Sequence, residues 1–225
     1  MTDELSQMRN PDAGRRLPGM RVPRKQDAKE APIGRHKKSD AMIETPSLLL
    51  RPFDQSDLDL IYRIYSDDEI LRYTPFDPMD REQAERHLNQ VMADWQCNPR
   101  LSYELAVCLK KSGETIGRAH ILIDPETETG MIGMLLIQDF WGNQYATEIA
   151  EALIAYSFND LHLHRVNAVC NPENTASWKL LGKCGLRREA LLKEKCRYIK
   201  RGTITWHDEL EYAILASEYL EQKMQ

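Results

Sequence analysis

Phe140-Trp141-Gly142-Asn143-Gln144-Tyr145-Ala146-Thr147-Glu148 joins a short apolar run to a strongly periodic helix through a polar loop. The run before it, residues 131–137, is too short and too apolar for a surface helix and reads as a buried strand. After the loop, Ile149, Ala152, Leu153 and Tyr156 recur at i, i+3, i+4 and i+7, so one helix face is apolar while Glu148 and Glu151 lie on the other. The first turn of such a helix has backbone N–H groups without helical partners. The positive end of the helix dipole adds to them, and the junction favours a pyrophosphate. A strand, a tight turn and a helix also occur in α/β proteins that hold no phosphate, so the reading depends on a second segment further along the chain.

Residues 165–170 alternate, with Val166, Ala168 and Cys170 on one face, and read as the next strand. They run into Asn171-Pro172-Glu173-Asn174-Thr175-Ala176-Ser177 and a short helix that stops at Gly185. Ser177, Leu180, Leu181 and Cys184 share a face of that helix, which places a hydroxyl among apolar neighbours where it needs a partner. Two readings stand. Either Asn174 caps the helix and Ser177 bonds back to the preceding turn, or both face a cleft and bind a ligand.

Together these segments resemble the GNAT superfamily of acyl-CoA-dependent N-acetyltransferases, and within it the branch of ribosomal-protein N-terminal acetyltransferases (RimJ/RimL-like). The family's loop R/Q-x-x-G-x-G/A is similar to Trp141-Gly142-Asn143-Gln144-Tyr145-Ala146, and the branch's Thr-Glu comes next as Thr147-Glu148. Thr45-Pro46-Ser47-Leu48-Leu49-Leu50-Arg51-Pro52 looks like its opening strand, and residues 57–67 like its first helix. The stretch from Asn171 to Ser177 matches N-x-x-N-x-x-S, Lys183-Cys184-Gly185-Leu186 is similar to the G-F ending, and Trp206-His207-Asp208 with Tyr212 is similar to the motif of the last strands. The likeness covers residues 43–216. It implies an α/β (α+β) fold with a mixed, mostly antiparallel sheet, splayed at the central strand and flanked by helices.

The resemblance also implies a site. Acetyl-CoA, as cosubstrate, would lie against Leu135, Leu136, Ile137, Trp141, Gly142, Asn143, Gln144, Tyr145, Ala146, Thr147, Asn174 and Ser177. A backbone N–H around Leu135 and Leu136 would face the oxyanion, and Ser177 or Tyr212 would protonate the departing thiolate. Two positions depart from the family. Gln144 replaces the first loop glycine, where backbone must approach phosphate and adopt unusual dihedrals. Met131 stands where many members carry the glutamate taken as general base, and it cannot accept a proton.

A missing base has a chemical consequence. An amine attacks a thioester only when neutral, and an α-amine, with a pKa of about 8, reaches that state far more easily than lysine, at about 10.4. The reaction that the resemblance implies, acetyl transfer to a primary amine, is therefore expected on an α-amino group of a protein, peptide or small molecule. The competing readings are an antibiotic or amino-sugar acetyltransferase and a lapsed enzyme that binds acyl-CoA as sensor or scaffold. The substitute bases to consider are His120, in a strand spanning 116–123 on the face of Arg118 and Leu122, and Glu104 on the preceding strand. A structural role for His120 stands beside the catalytic one. His162 and His164 lack the i, i+4 helical spacing of zinc ligands, so no metal is expected.

Residues 1–41 hold ten Lys or Arg against six Asp or Glu, with Pro11, Pro18, Pro23 and Pro32, a composition that predicts a disordered basic tail. The chain total of −5 leaves −9 for residues 42–225, the expected catalytic domain. An acidic body argues against nucleic acid and suits a cationic acceptor. No apolar stretch reaches membrane-spanning length and no secretion signal is visible, so a cytoplasmic location is expected; a homodimer is compatible with all of this. Five cysteines without paired spacing imply no disulfide framework, and Cys108, Cys170 and Cys184 read as buried thiols. The acceptor wall falls between the first strand and the cofactor segment. Residues 57–66 give a helix with Leu58, Ile61, Tyr62 and Tyr65 inward, and residues 81–95 a second with Ala84, His87, Leu88, Val91 and Trp95 at helical spacing. Between them, Tyr73 and Phe76 either line the acceptor groove or pack beneath their loop. The far wall is expected from a hairpin over 194–215, broken near Lys200-Arg201-Gly202.

Overall fold

The computed structural model describes residues 42–224; the tail expected over 1–41 lies outside the described residues. The chain enters through β1 (Ile43–Glu44) and β2 (Leu48–Pro52), crosses α1 (Leu58–Tyr65) and α2 (Arg81–Trp95), and lays down β3 (Ser102–Leu109), β4 (Thr115–Asp124) and β5 (Thr129–Leu136) as an antiparallel meander. Then α3 (Tyr145–Asn159) leads to β6 (Arg165–Cys170), α4 (Thr175–Lys183) leads to the hairpin of β7 (Arg187–Lys200) and β8 (Thr203–Leu215), and α5 (Ala216–Lys223) comes last. The strands form one sheet in the order β1-β2-β3-β4-β5-β6-β8-β7, mixed and mostly antiparallel as the sequence implied, with β5 and β6 the parallel pair.

That parallel pair is short. Thr129, Gly130 and Met131 pair with Arg165, Val166 and Asn167, and beyond Met131 the two strands part. Alternate residues of a strand turn their backbone polar groups to opposite neighbours. Ile137 N donates to Ile116 O at 3.0 Å, while Glu128 O accepts from His164 N at 3.0 Å on the other side. Met131, Gly133, Leu135 and Ile137 therefore point their amides at β4, and those of Ile132, Met134 and Leu136 point into the gap.

Side chains alternate in the same way. Ile132 and Leu136 join Ile121, Ile149, Leu153 and Val166 in a core between the sheet and α3. On the opposite face Ala106, Cys108 and Ile137 pack with Ile61, Ile64, Tyr65, Leu88 and Val91 of α1 and α2. Each fully buried aliphatic contributes about 1.5–3 kcal/mol, which makes these two layers the main stabilising term.

α1 is rotated from its expected face: the buried residues are Leu60, Ile61, Ile64 and Tyr65, with Leu58 and Tyr62 only half-buried. The reason lies one turn earlier. Asp57, 2 % exposed, accepts from both Arg51 Nη1 and Arg51 Nη2 at 2.7 and 2.8 Å and from Asp54 N at 2.9 Å, ending a 3-10 turn that sets where the helix begins. The last hairpin is also longer than expected, because β7 starts at Arg187 under a run of charged residues that hides strand alternation. Cys108 is buried, whereas Cys170 and Cys184 are half-buried. Among the described residues no helix is long and apolar enough to cross a membrane.

Candidate active site

α3 starts on an unusual residue. Gln144, its N-cap, has φ 63° and makes no side-chain capping bond, and the first helical bond runs from Glu148 N to Gln144 O. The N–H groups of Tyr145, Ala146 and Thr147 precede that bond, and they open toward the loop at the positive end of a 15-residue helix. The first-turn carboxylate is tied elsewhere: Glu148 accepts from Ser47 N at 2.6 Å. Gly142 also has positive φ, 77°, with open space where a Cβ would sit, and Gly142, Asn143 and Gln144 are exposed. The turn is braced by Trp141, whose indole N–H donates to Leu136 O at 2.8 Å. Left-handed backbone at residue 144 explains a family preference for glycine there, and its cost with a side chain is about 1–2 kcal/mol.

The start of α4 is arranged differently. Asn174 Oδ1 accepts from Ser177 N at 3.2 Å, so this helix caps itself. The Ser177 side chain is half-buried beside Cys170, whose thiol pKa burial raises while Ser177 pulls it the other way. Tyr212 on β8 is 7 % exposed, pairs with Ala168, and packs in the α3-side core with Leu181 of α4. Ser177 and Tyr212 thus share the α3 side of the sheet. His120 does not join them.

His120 lies on the α1/α2 side, with Glu104 opposite it on β3 and Gly133 opposite it on β5. Beside it Arg118, with its side chain 5 % exposed, ion-pairs with Glu104, donates to the Tyr65 hydroxyl at 2.6 Å and lies 3.0 Å from His120 Nδ1. Burial works to lower the Arg118 pKa, but Glu104 and Tyr65 outweigh it and hold the guanidinium charged. Burial, reinforced by that charge, pushes the His120 pKa well down. Burial raises the Glu104 carboxyl against the opposing pull of Arg118. Among the described residues no group of three or more metal-ligating side chains occurs.

Phe76 packs edge-on against Tyr65, ring centroids 5.5 Å apart, beneath the loop between α1 and α2. Tyr73 is half-buried, with the Arg72 guanidinium over its ring and its carbonyl accepting from the Tyr198 hydroxyl at 2.9 Å. Sequence reading missed Tyr198, Lys200 and Arg201 as the residues that pin this loop: Lys200 Nζ donates to Leu71 O at 2.6 Å, and Arg201 N to Asp77 Oδ1 at 2.9 Å. Their signal, aromatic and basic residues at a hairpin tip, has no fixed spacing to the loop they hold. The Arg118 cluster left a readable signal, an arginine inside an apolar strand.

A sheet opened between two parallel strands, with an uncapped helix N-terminus beside the opening, matches a known family. The profile of the acetyltransferase (GNAT) domain fits residues 47–187. The chain belongs to the GNAT family. It is an acyltransferase of the N-acetyltransferase kind. YnaD of Bacillus subtilis (strain 168), an uncharacterised N-acetyltransferase, is 32 % identical over 177 residues, 79 % of this chain and 98 % of that protein. The GNAT-family acetyltransferase of Bacillus anthracis superposes with a TM-score of 0.69 at 28 % identity, covering 79 % of this chain and 99 % of that one. The spermidine N-acetyltransferase of Vibrio cholerae, solved with CoA and spermine, shares the fold at a TM-score of 0.66 and 22 % identity, over 77 % and 98 % of the two chains.

Proposed function

We propose that this GNAT enzyme transfers the acetyl group of acetyl-CoA to the α-amino group of a peptide or protein N-terminus, in the manner of the RimJ/RimL-like branch, in the cytoplasm. The observation that carries the reading is the acceptor face of β5, where Met131 and Gly133 stand and no carboxylate is present. Glu104 is held by Arg118 and the Nδ1 of His120 faces the same guanidinium, so neither is free to take a proton. An acceptor that is partly neutral without help suits such a site, and the α-amine is that acceptor.

The residues present fit acetyl-CoA. The open edge of β5 offers the N–H and C=O of Ile132 and Met134 and the N–H of Leu136 to an extended, amide-bearing chain, as a free strand edge does to any peptide-like partner. The N–H groups of Tyr145, Ala146 and Thr147 suit a pyrophosphate. The cosubstrate supplies the acetyl group as a thioester. Leu135, expected at the oxyanion, turns its N–H to β4, so an outward N–H of Leu136 or its neighbour Met134 is the donor proposed for the oxyanion of the tetrahedral intermediate, a contribution of the kind worth about 3–4 kcal/mol in other enzymes. Ser177 or Tyr212, on the α3 side, gives a proton to the leaving thiolate, and the amine proton leaves to solvent.

The test is thiol release from acetyl-CoA against N-terminal peptides, polyamines and aminoglycosides, with Ser177→Ala alongside. A free N-terminal peptide is expected to be acetylated with its lysine ε-amine spared, and turnover is expected to fall in the variant. Preferential lysine modification would overturn the α-amine reading. Tight acetyl-CoA binding without turnover on any amine would favour a lapsed, CoA-sensing protein, toward which Gln144 and Met131 lean.

A further inference from the structure

We propose that His120 binds the acceptor: its Nε2–H is a fixed hydrogen-bond donor for the carbonyl oxygen beside the α-amine of the incoming peptide. This deepens the α-amine reading and rests on it. A guanidinium has five donors and no acceptor, so the 3.0 Å contact between Arg118 Nη2 and His120 Nδ1 makes Nδ1 the acceptor. The proton of the neutral ring is then on Nε2. Arg118 cannot drift, because Tyr65 and Glu104 hold it from α1 and β3.

Gly133 explains where the ring lies. A Cβ there would come within 2.7 Å of His120 Nε2 and nearer still to Cε1, so the missing side chain is what lets the imidazole rest against β5. Gly133 is two residues past Met131, the last residue of β5 to pair with β6, so Nε2 stands where the sheet opens. Among the described residues Nε2 has no hydrogen-bond partner. The titratable and charged groups gathered around the cluster are Glu104, Arg118, Tyr65 and His87, and the one that bonds His120 does so at Nδ1.

The chemistry selects a substrate class. A peptide N-terminus carries a carbonyl two bonds from its amine, and an Nε2–H donor can take that oxygen. An alkyl diamine offers no such atom.

The experiment compares kcat and KM for an N-terminal peptide and for 1,5-diaminopentane, with acetyl-CoA saturating, in wild type, His120→Phe, His120→Gln and Gly133→Ala. Phenylalanine keeps a flat ring over Gly133 without a donor, and glutamine keeps a donor near the Nε2 position. The peptide-to-diamine ratio of kcat/KM is expected to fall about tenfold in His120→Phe, carried by the peptide KM, as the loss of one hydrogen bond predicts. His120→Gln should recover much of it, and Gly133→Ala, which displaces the ring, should share the loss. An unchanged ratio in His120→Phe, or the disappearance of an ionisation from its pH profile, would overturn the donor role, the latter by making His120 a base. If the wild type acetylates the diamine and not the peptide, the α-amine reading fails and this inference with it. If the wild type prefers the peptide and His120→Phe leaves that preference intact, the donor role alone fails.

Discussion

His87 meets Tyr65 edge-on, ring centroids 4.9 Å apart, and its buried Nε2 has no partner. Burial first, and then the charge of Arg118, pull its pKa down to about 4. The unfolded chain titrates at about 6.5, so above that pH the residue is neutral in both states and contributes nothing to pH dependence. Between these values the unfolded state binds a proton that the folded state refuses, and stability falls as pH falls, by at most about 3 kcal/mol. His120 acts in the same direction, and Glu104, raised by burial, acts against it. The difference between variants therefore isolates His87. His87→Phe, which keeps the edge contact, is expected to lose less urea midpoint between pH 7 and pH 4.5 than wild type; an equal loss would reject the assignment. Gln144 gives a second expectation. Relief of left-handed strain, about 1–2 kcal/mol, exceeds the extra unfolded-state freedom of glycine, about 0.4–1 kcal/mol, so Gln144→Gly should raise Tm by a few degrees in a thermal melt. A lower Tm would mean that the Gln144 side chain stabilises the loop in a way its lack of a capping bond does not suggest. The need for unusual backbone at this position was legible from its place in the loop motif. The Arg118 cluster was legible only as a set of polar residues sharing a strand face, because its partner Tyr65 comes from a distant helix.

Two helices of this chain begin beside the opened sheet, and their caps separate their roles. α4 satisfies its own first turn through Asn174, whereas α3 begins on Gln144 with no side-chain cap. An anion should therefore depend on α3. Asn143→Asp would place a negative charge at the mouth of that N-terminus, where it competes with a pyrophosphate for the dipole and the free N–H groups. Acetyl-CoA affinity measured by calorimetry is expected to weaken about tenfold, with the effect shrinking at high salt. Unchanged affinity would move the pyrophosphate away from this loop. The strand, loop and α3 were readable because apolar period and polar loop agree over that whole stretch. β6 and α2 were readable for the same reason. α1 came out turned because its phase is set by the ion pair of Arg51 with a buried Asp57, and periodicity alone ranks an aspartate as an exposed residue. Breaking such a pair costs about 3–5 kcal/mol, which is enough to choose between neighbouring faces of a two-turn helix. The first half of β7 escaped notice because an edge strand protects itself with charge, and charge erases the alternation by which strands are recognised.

At the scale of the molecule, two segments far apart in the chain are joined to each other on the α1/α2 side of the sheet. The loop between α1 and α2 belongs to the first part of the described chain, and the hairpin of β7 and β8 to the last. They are fastened by Tyr198 to Tyr73 O, Lys200 to Leu71 O, and Arg201 to Asp77 and to Asp68, the last an exposed ion pair at 2.6 Å. The exposed pair adds little, about 0–1 kcal/mol, so the bonds of Tyr198 and Lys200 to backbone carbonyls carry most of the fastening. No sequence periodicity could announce it, since the partners are carbonyl oxygens far away along the chain. The features proposed to hold the cosubstrate lie elsewhere, at α3 and along the open edge of β5, so the fastening should govern the acceptor alone. Removing it with Tyr198→Phe and Lys200→Met leaves the hairpin paired and residue 198 still able to stack on His207, whose ring centroid is 4.1 Å away. The double variant is expected to raise acceptor KM about tenfold, as two lost hydrogen bonds predict, while the acetyl-CoA Kd stays at the wild-type value. Limited proteolysis should then cut first within residues 66–79, the segment set free. A matching loss of acetyl-CoA affinity would show instead that the hairpin supports the whole opened sheet rather than one wall of it.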